Sequence, residues 1–317
     1  MQDCKISVII PTLNRADFIP ETIHSIVNQT VKPYEIIVVD NGSDDNTVEL
    51  LGKLFPEQVK IIQNDGNFYP GAARNLGIEA ATGDYIQFFD SDDIMTKNRF
   101  ESLLAVFAKN PDADAVYSPY VMAREDNFGS WKQTQPVLQY RDSHFRKRTH
   151  KDMLKGFFVP VPCFLFKASV IKSVGKWRED IFASEDFDYL FRLIMSNITI
   201  KHDNKSCVIY RVHGNQITGN AFSDKRRDIE KLRCLAQLLS RYENQLSSRC
   251  VSIAKTMIHR LEHDTNCTNI SGLNYWFTNL SLRISNKINR MVTRTDWQRI
   301  HQPETDKKVF RDYLSLL

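Results

Sequence analysis

The chain has 317 residues, of which 42% are hydrophobic and 25% charged, and its formal net charge is +4. This composition is that of an ordinary globular protein, and the length allows one large α/β domain with an appendage or two modest domains. No stretch approaches the roughly 18 unbroken apolar residues that a membrane-spanning helix needs.

Short β-branched runs alternate with helical patterns over the first 121 residues. Strands are predicted at 5–10, 34–39, 59–62, 85–89 and 115–121, and helices at 16–28, 46–55, 70–81 and 99–109. This alternation predicts a mostly parallel sheet covered by helices on both faces. Ligands of such sheets bind beyond the carboxyl ends of the strands.

The remainder of the chain has a different character. Residues 122–150 are polar and are predicted to be irregular, and the next elements are a strand at 164–166, helices at 168–174 and 186–196, and a strand at 207–212. From residue 225 onward the pattern is helical, with an apolar stripe formed by Ile229, Leu232, Leu235, Leu238 and Leu239. We therefore predict an α/β domain over residues 1–223 and a helical extension over residues 224–317.

Three carboxylates follow the predicted strand at 85–89. They belong to the sequence Asp90, Ser91, Asp92, Asp93. A buried bare carboxylate is very costly, so each needs water, a partner or a cation. Mg²⁺ and Mn²⁺ favour one or two carboxylates plus the oxygens of a phosphorylated substrate. The alternative is a solvated turn that caps the next helix.

Five segments carry a resemblance to a known family. They are SVIIPTLNRADFIPETIHSIVNQT at 7–30, EIIVVDNGSDDNT at 35–47, GAARNLGIEAATGDYIQFFDSDD at 71–93, SEDFDYLFRL at 184–193 and YRVHGNQIT at 210–218. In this order they resemble the inverting nucleotide-sugar glycosyltransferases of family 2, which have the GT-A fold. The resemblance implies a Rossmann-like catalytic domain, with a nucleotide-sugar half at about 1–121 and an acceptor half at about 122–223.

The resemblance implies contacts for the nucleotide. Pro11 and Thr12 approach the base, and Asp40 accepts a hydrogen bond from it, typically from uracil N3–H. This chain has Asn41 where the family commonly has a second aspartate. Arg74 lies one turn into a helix that lines the nucleotide site, and a helix N-terminus attracts phosphate. The alternatives are that Asp40 forms a turn and that Arg74 is a surface arginine.

The same resemblance implies a metal site. Asp90, with Ser91, contacts the nucleotide sugar at its ribose, and Asp92, alone or with Asp93, holds Mn²⁺ or Mg²⁺ on the diphosphate. A divalent cation would neutralise the negative charge that develops on the leaving diphosphate. The sequence does not decide between Asp92 and Asp93 as the direct ligand.

Further roles are implied near the end of the α/β domain. His213 is expected beside the diphosphate or the metal, and Arg211 is expected to bind the nucleotide sugar. A loop histidine is otherwise more often solvated. Trp177 is either a sugar-stacking residue of the acceptor site or a core tryptophan.

Glu185 and Asp186 match the family's catalytic base position. Asp186 is the predicted base and Glu185 a supporting acceptor, in a one-step displacement that inverts the anomeric centre. An aspartate needs a raised pKa for this task, which partial burial and neighbouring anions supply. The alternative is that both residues only complement the dipole at a helix N-terminus.

The extension carries most of the positive charge. Residues 224–317 contain 17 basic and 10 acidic side chains, against 25 and 28 in residues 1–223. Residues 280–294 form a basic amphipathic pattern that suits an anionic membrane surface, a helix packed on the catalytic domain, or the seam of a homo-oligomer. The charge is diffuse and lacks interleaved aromatics, so no nucleic-acid partner is expected.

Six widely spaced cysteines with no CxxC pair predict reduced thiols, and the N-terminus runs directly into a strand pattern. We therefore expect a cytoplasmic location, with or without peripheral contact at the inner face of the membrane. The expected function is metal-dependent transfer of a sugar from a nucleotide donor to a saccharide or lipid-linked acceptor. A UDP-sugar is favoured over other nucleotide donors. The competing hypotheses are a non-catalytic nucleotide-sugar-binding or scaffolding module and a nucleotidyltransferase, which normally shows a glycine-rich loop that this chain lacks after its first strand.

Overall fold

A computed structural model describes residues 4–66, 68–125, 131–136, 153–154, 159–182, 184–214, 216 and 225–265. Within these ranges, none of the helices combines the length and the apolar character needed to cross a membrane. The predicted amphipathic segment 280–294 lies outside the described residues, so its contacts stay a prediction.

The described residues form eleven strands and eight α-helices. The strands are β1 (Ile6–Thr12), β2 (Glu35–Asp40), β3 (Val59–Gln63), β4 (Tyr85–Phe88), β5 (Ile94–Met95), β6 (Ala115–Tyr117), β7 (Tyr120–Glu125), β8 (Trp131–Pro136), β9 (Phe164–Lys167), β10 (Ile200–His202) and β11 (Val208–Val212). The helices are α1 (Ile19–Val27), α2 (Thr47–Leu54), α3 (Pro70–Ala80), α4 (Arg99–Lys109), α5 (Ala168–Val174), α6 (Glu185–Met195), α7 (Lys225–Tyr242) and α8 (Ser248–Thr265).

A seven-stranded sheet in the order β10-β6-β9-β4-β1-β2-β3 forms the centre of the fold. Its strands pair in parallel except β9, which is antiparallel to both β4 and β6. The predicted mostly parallel sheet is confirmed. Thr12 pairs with Asp40, and Ile9 pairs with Phe88, so the carboxyl ends of β1, β2 and β4 meet at one edge.

Two predictions in the middle of the chain are wrong. The single strand expected at 115–121 is two strands, because the chain leaves the large sheet at Ser118 and Pro119, where proline has no N–H for a central ladder. The expected irregular region 122–150 is partly regular, since β7 and β8 pair within a second sheet of order β5-β11-β7-β8.

The helical extension packs against the α/β domain in its described part. Helix α7 contacts α6 and α8. Four of its apolar side chains belong to the same buried cluster as the central strands: Leu232, Leu235, Leu238 and Leu239. The Phe182 N–H also donates to Glu230 on α7 over 3.0 Å. Residues 225–265 therefore share a core with the sheet.

Close packing of α3 on β1 depends on Gly77. A Cβ at this position would lie 2.2 Å from Cγ2 of the fully buried Ile9. The branched Ile9 side chain has little freedom to move away. The helix therefore approaches the strand at a distance that a larger residue does not allow.

We predict that Gly77→Ala lowers the free energy of unfolding by about 1–3 kcal/mol through overpacking. Gly52→Ala is the matched control, because Gly52 also lies in a helix and its added Cβ would meet nothing within 4 Å. That substitution should raise stability by up to about 1 kcal/mol through helix propensity. Urea unfolding of both variants measures the difference, and equal effects would contradict the packing argument.

Candidate active site

The motif residues meet beyond the carboxyl edge of the central sheet. Asp90, Asp92 and Asp93 follow β4, and Arg74 lies in α3. Glu185 begins α6, and the loop after β11 brings in His213. Hydrogen bonds and ion pairs connect these segments, so the structure brings together residues that are up to 139 positions apart in sequence.

Arg74 joins the two acidic segments. Its Nη1 donates to Glu185 Oε1 over 2.8 Å, and its Nη2 donates to Asp90 Oδ1 over 3.1 Å. Burial alone would lower the pKa of Arg74, but the charges of Glu185, Asp90 and Asp186 raise it. Arg74 is only 5% exposed, so it is a buried cation shared by two carboxylates rather than a surface arginine.

Trp177 lies in the core. Its ring stacks on Tyr189 with centroids 3.9 Å apart, and the Arg74 guanidinium lies 4.6 Å from its ring centroid. The Asn75 side chain accepts from the backbone N–H of Trp177 and donates to the backbone carbonyl of Trp177. Of the two sequence interpretations, the structure supports the core tryptophan, because a ring that is 2% exposed has no face for a sugar.

The three aspartates of the Asp-Ser-Asp-Asp sequence have different environments. Burial, together with the charges of Asp92 and Glu185, raises the pKa of Asp90 to about 6 although Arg74 opposes this. Burial raises the pKa of Asp93 well above its usual value, with added effects of Asp92 and Asp90. For Asp92, burial is outweighed by the His213 hydrogen bond and by the charges of Arg15, His213 and Arg211, so its pKa is lowered. Asp92 is therefore the most readily ionised of the three.

Asp92 and His213 form a pair. The His213 Nε2 lies 3.1 Å from Asp92 Oδ2, and the imidazole stacks on Phe18 with ring centroids 4.0 Å apart. Arg15 Nε lies 3.3 Å from the same carboxylate oxygen. Two cationic or potentially cationic groups thus neutralise Asp92.

Arg211 has a different position from the one predicted. Its guanidinium is 1% exposed and binds Glu21, the Phe18 carbonyl and the Asp92 carbonyl. Its backbone N–H donates to Asp93 Oδ1 over 3.1 Å. These contacts leave Arg211 no exposed surface for a nucleotide sugar, so we assign it to holding the aspartate turn against α1.

Asp40 lies where the turn-forming alternative predicts. Its carboxylate accepts from the N–H groups of Gly42 and Ser43 and from the Ser43 hydroxyl, and Asp40 is 3% exposed. Thr12 beside it has a buried hydroxyl with no hydrogen-bond partner among the described residues. The carboxylate of Asp40 is thus committed to the loop that follows β2.

Two other predicted contact residues lie on this edge. Pro11 is half-buried at the end of β1, next to Thr12. Ser91 is buried, and its carbonyl accepts from the Thr22 hydroxyl over 3.1 Å. Ser91 therefore ties the aspartate turn to α1 through its backbone.

Asp186 and Glu185 occupy the first turn of α6. Burial and the charge of Glu185 raise the pKa of Asp186 to about 7, while Arg74 lowers it. Ser184 before them has φ of 109°, a conformation that non-glycine residues seldom adopt and that clusters at functional sites. A carboxylate with a pKa near neutrality is suited to accepting a proton.

Arg15 and Phe18 were missed by the sequence analysis. Both lie in the turn between β1 and α1, which is at the same carboxyl edge. The rule that strand ends converge would have included them, since Arg15 follows β1 by three residues. The turn contains no glycine, and its single aspartate, Asp17, belongs to no acidic pair.

The fit to a divalent cation can be tested on the donor groups. Among the described residues no three His, Cys, Asp or Glu side chains are grouped as a metal site. Asp92 and His213 supply a carboxylate oxygen and an imidazole nitrogen, and Asp93 Oδ2 is buried without a hydrogen-bond partner in the described part of the chain. One or two protein ligands are what Mg²⁺ usually takes when a phosphate supplies the rest. The residues therefore fit a cation shared with a diphosphate.

Comparison with known proteins identifies relatives. Residues 7–175 match the family model described as glycosyl transferase family 2. An uncharacterized glycosyltransferase of Haemophilus influenzae is 28% identical over 60% of this chain and 62% of its own length. The Escherichia coli UDP-Glc:alpha-D-GlcNAc-diphosphoundecaprenol beta-1,3-glucosyltransferase WfaP is 25% identical over 73% of this chain and 86% of its own. The match to a Rickettsia felis glycosyltransferase spans only 18% of that relative.

Solved structures agree with the fold. Residues 1–349 of S. aureus TarS in complex with UDP-GlcNAc match with a TM-score of 0.60 and 19% identity, over 81% of this chain and 71% of that TarS chain. The fold is therefore that of the GT-A glycosyltransferases. Because the family model covers more than half of the chain, this protein belongs to glycosyl transferase family 2.

Proposed function

We propose that this protein is a metal-dependent, inverting glycosyltransferase that moves a sugar from a UDP-sugar to a saccharide or lipid-linked acceptor in glycan biosynthesis. The observation that carries the proposal is the Arg74 bridge, which places the candidate base beside the Asp-x-Asp sequence. A donor held at one acidic segment would then meet an acceptor hydroxyl at the other.

The donor assignment draws on two relatives. The TarS structure contains UDP-GlcNAc, and the name of WfaP specifies UDP-Glc. The name of WfaP also specifies a diphosphoundecaprenol-linked sugar as acceptor, which supports a lipid-linked acceptor for this chain.

The metal belongs at Asp92 and His213 in this proposal. A divalent cation bound there would neutralise the charge that develops on the departing diphosphate. Asp92 suits the task because its lowered pKa keeps it ionised at neutral pH. Asp90 precedes Asp92 by two residues and accepts from Arg74, and in this proposal it contacts the ribose of the donor.

The proton acceptor in this proposal is Asp186. It would take the proton from the acceptor hydroxyl as the oxygen attacks the anomeric carbon, on the face opposite the diphosphate. Glu185 stays bound to Arg74 and contributes a negative charge that raises the pKa of Asp186. The substitution occurs in one step, so the anomeric configuration inverts.

We predict that Asp92→Asn weakens Mn²⁺-dependent binding of UDP by at least about tenfold, roughly 1.4 kcal/mol, because a neutral amide is a poor ligand for a hard cation. Titration calorimetry with and without Mn²⁺ measures this. Asp84→Asn, at the opposite end of β4, is the matched control. Unchanged Mn²⁺ dependence in Asp92→Asn would refute the metal assignment.

We predict that Asp186→Asn retains UDP binding but loses sugar transfer by about 10²–10⁴-fold, the usual contribution of a general base. Single-turnover assays with a UDP-sugar panel measure the transfer. Asp180→Asn removes an exposed carboxylate paired with Arg178 and should have no such effect. Turnover of Asp186→Asn at the wild-type rate would assign the role of the base to another residue.

We predict that transfer activity falls below about pH 7, roughly tenfold per pH unit, since the base works only when deprotonated and the pKa of Asp186 is about 7. Glu185→Gln removes a neighbouring negative charge, so the midpoint should move to lower pH. The exposed Glu79→Gln is the control. If the midpoint of the pH profile is the same in Glu185→Gln as in the wild type, the titration belongs to another group.

A further inference from the structure

Three arginines surround the acidic cluster, and Arg15 is held differently from the other two. Arg74 and Arg211 are buried and donate hydrogen bonds to carboxylates. Arg15 Nε lies 3.3 Å from Asp92 Oδ2, and it makes no hydrogen bond within the described residues. Within the part of the chain that the structure describes, the Nη1 of Arg15 donates to the nearby carbonyls of Leu13 and Asn14. The contact with Asp92 is therefore one of charge, without the bidentate geometry that makes arginine pairs strong.

The oxygen that Arg15 approaches is the one a cation would need. Asp92 Oδ2 also lies 3.1 Å from His213 Nε2, so this atom is the meeting point of the proposed metal ligands. A divalent cation on Asp92 and a guanidinium at 3.3 Å from the same oxygen would repel each other. Binding of the cation would therefore favour a position of the Arg15 side chain away from Asp92.

The backbone around Arg15 is held by hydrogen bonds, so a change of partner would involve its side chain alone. Four hydrogen bonds fasten residues 14–16 to the loop and helix start after β2. They run from Asn14 N–H to Ser43, from Asp44 N–H to Asn14, from Arg15 N–H to Thr47 and from Ala16 N–H to Asp45, over 2.8–3.0 Å. The Cα of Arg15 is therefore fixed near the carboxyl edge of β1, and rotation about its side-chain bonds would move the guanidinium.

We propose that Arg15 is an exchangeable partner of Asp92: it neutralises this carboxylate when no nucleotide is bound, and it transfers to the diphosphate when a divalent cation takes its place. The inference rests on the proposed function. A planar guanidinium with five donors matches the oxygens of a diphosphate. The exchange makes the cation and the nucleotide bind cooperatively, since each favours the same position of Arg15.

The test compares Mn²⁺ binding with and without UDP, by electron paramagnetic resonance of free Mn²⁺, for wild type and Arg15→Gln. Without UDP, Arg15→Gln should bind Mn²⁺ roughly three- to tenfold more tightly, because the competing charge is gone. With saturating UDP it should bind Mn²⁺ roughly tenfold more weakly than wild type, because a diphosphate contact is lost. The opposite directions separate exchange from structural damage, which would weaken both.

Two variants serve as controls. Lys5→Gln removes one positive charge at the opposite end of β1 and should match wild type in both conditions. Arg15→Lys keeps the charge and should bind Mn²⁺ as the wild type does without UDP. With UDP it should bind Mn²⁺ more weakly than the wild type, because lysine lacks the planar donors of a guanidinium.

The outcomes separate the two proposals. Equal Mn²⁺ affinity of wild type and Arg15→Gln without UDP, with Mn²⁺–UDP binding intact, overturns the role of Arg15 and leaves the metal site standing. Absence of Mn²⁺ binding in every variant, with and without UDP, overturns the metal site and the exchange together.

Discussion

The arrangement of the candidate active site depends on one buried cation. Arg74 pairs with both Asp90 and Glu185, and without it the buried Glu185 would be an uncompensated charge. The guanidinium also lies over Trp177, which fixes the plane in which its two donors point. Because Arg74 is the common partner of both carboxylates, this single side chain sets the geometry of both acidic segments.

The carboxyl groups around this cation differ in pKa. Asp92 is kept ionised by Arg15 and His213, whereas burial and mutual repulsion raise the pKa values of Asp90, Asp93 and Asp186. Like charges in one cleft cannot all ionise at equal cost, and the positions of the cations decide which carboxylates ionise most readily. This grading gives a permanent anion at the proposed metal position and a proton acceptor near neutrality at the other.

The sequence predicted the elements that depend on local patterns. The strands that end at Thr12 and Asp40 and the strand before the aspartates were predicted, and so was their common edge. The second sheet was not, because β5 has two residues and the pairing of β7 with β11 joins segments about 90 residues apart. Arg211 and Trp177 were ambiguous for a related reason, since burial depends on partners that no local spacing shows. Residues 280–294 and the oligomeric state stay predictions.

The position of β9 has a consequence for how the chain is made. Residues 164–167 lie between β4 and β6, so the large sheet has an open edge at β4 until this segment has been synthesised. An exposed edge of this kind invites pairing with other chains. Residues 1–121 are therefore a poor unit for separate expression, because they end before the segment that covers the edge of β4.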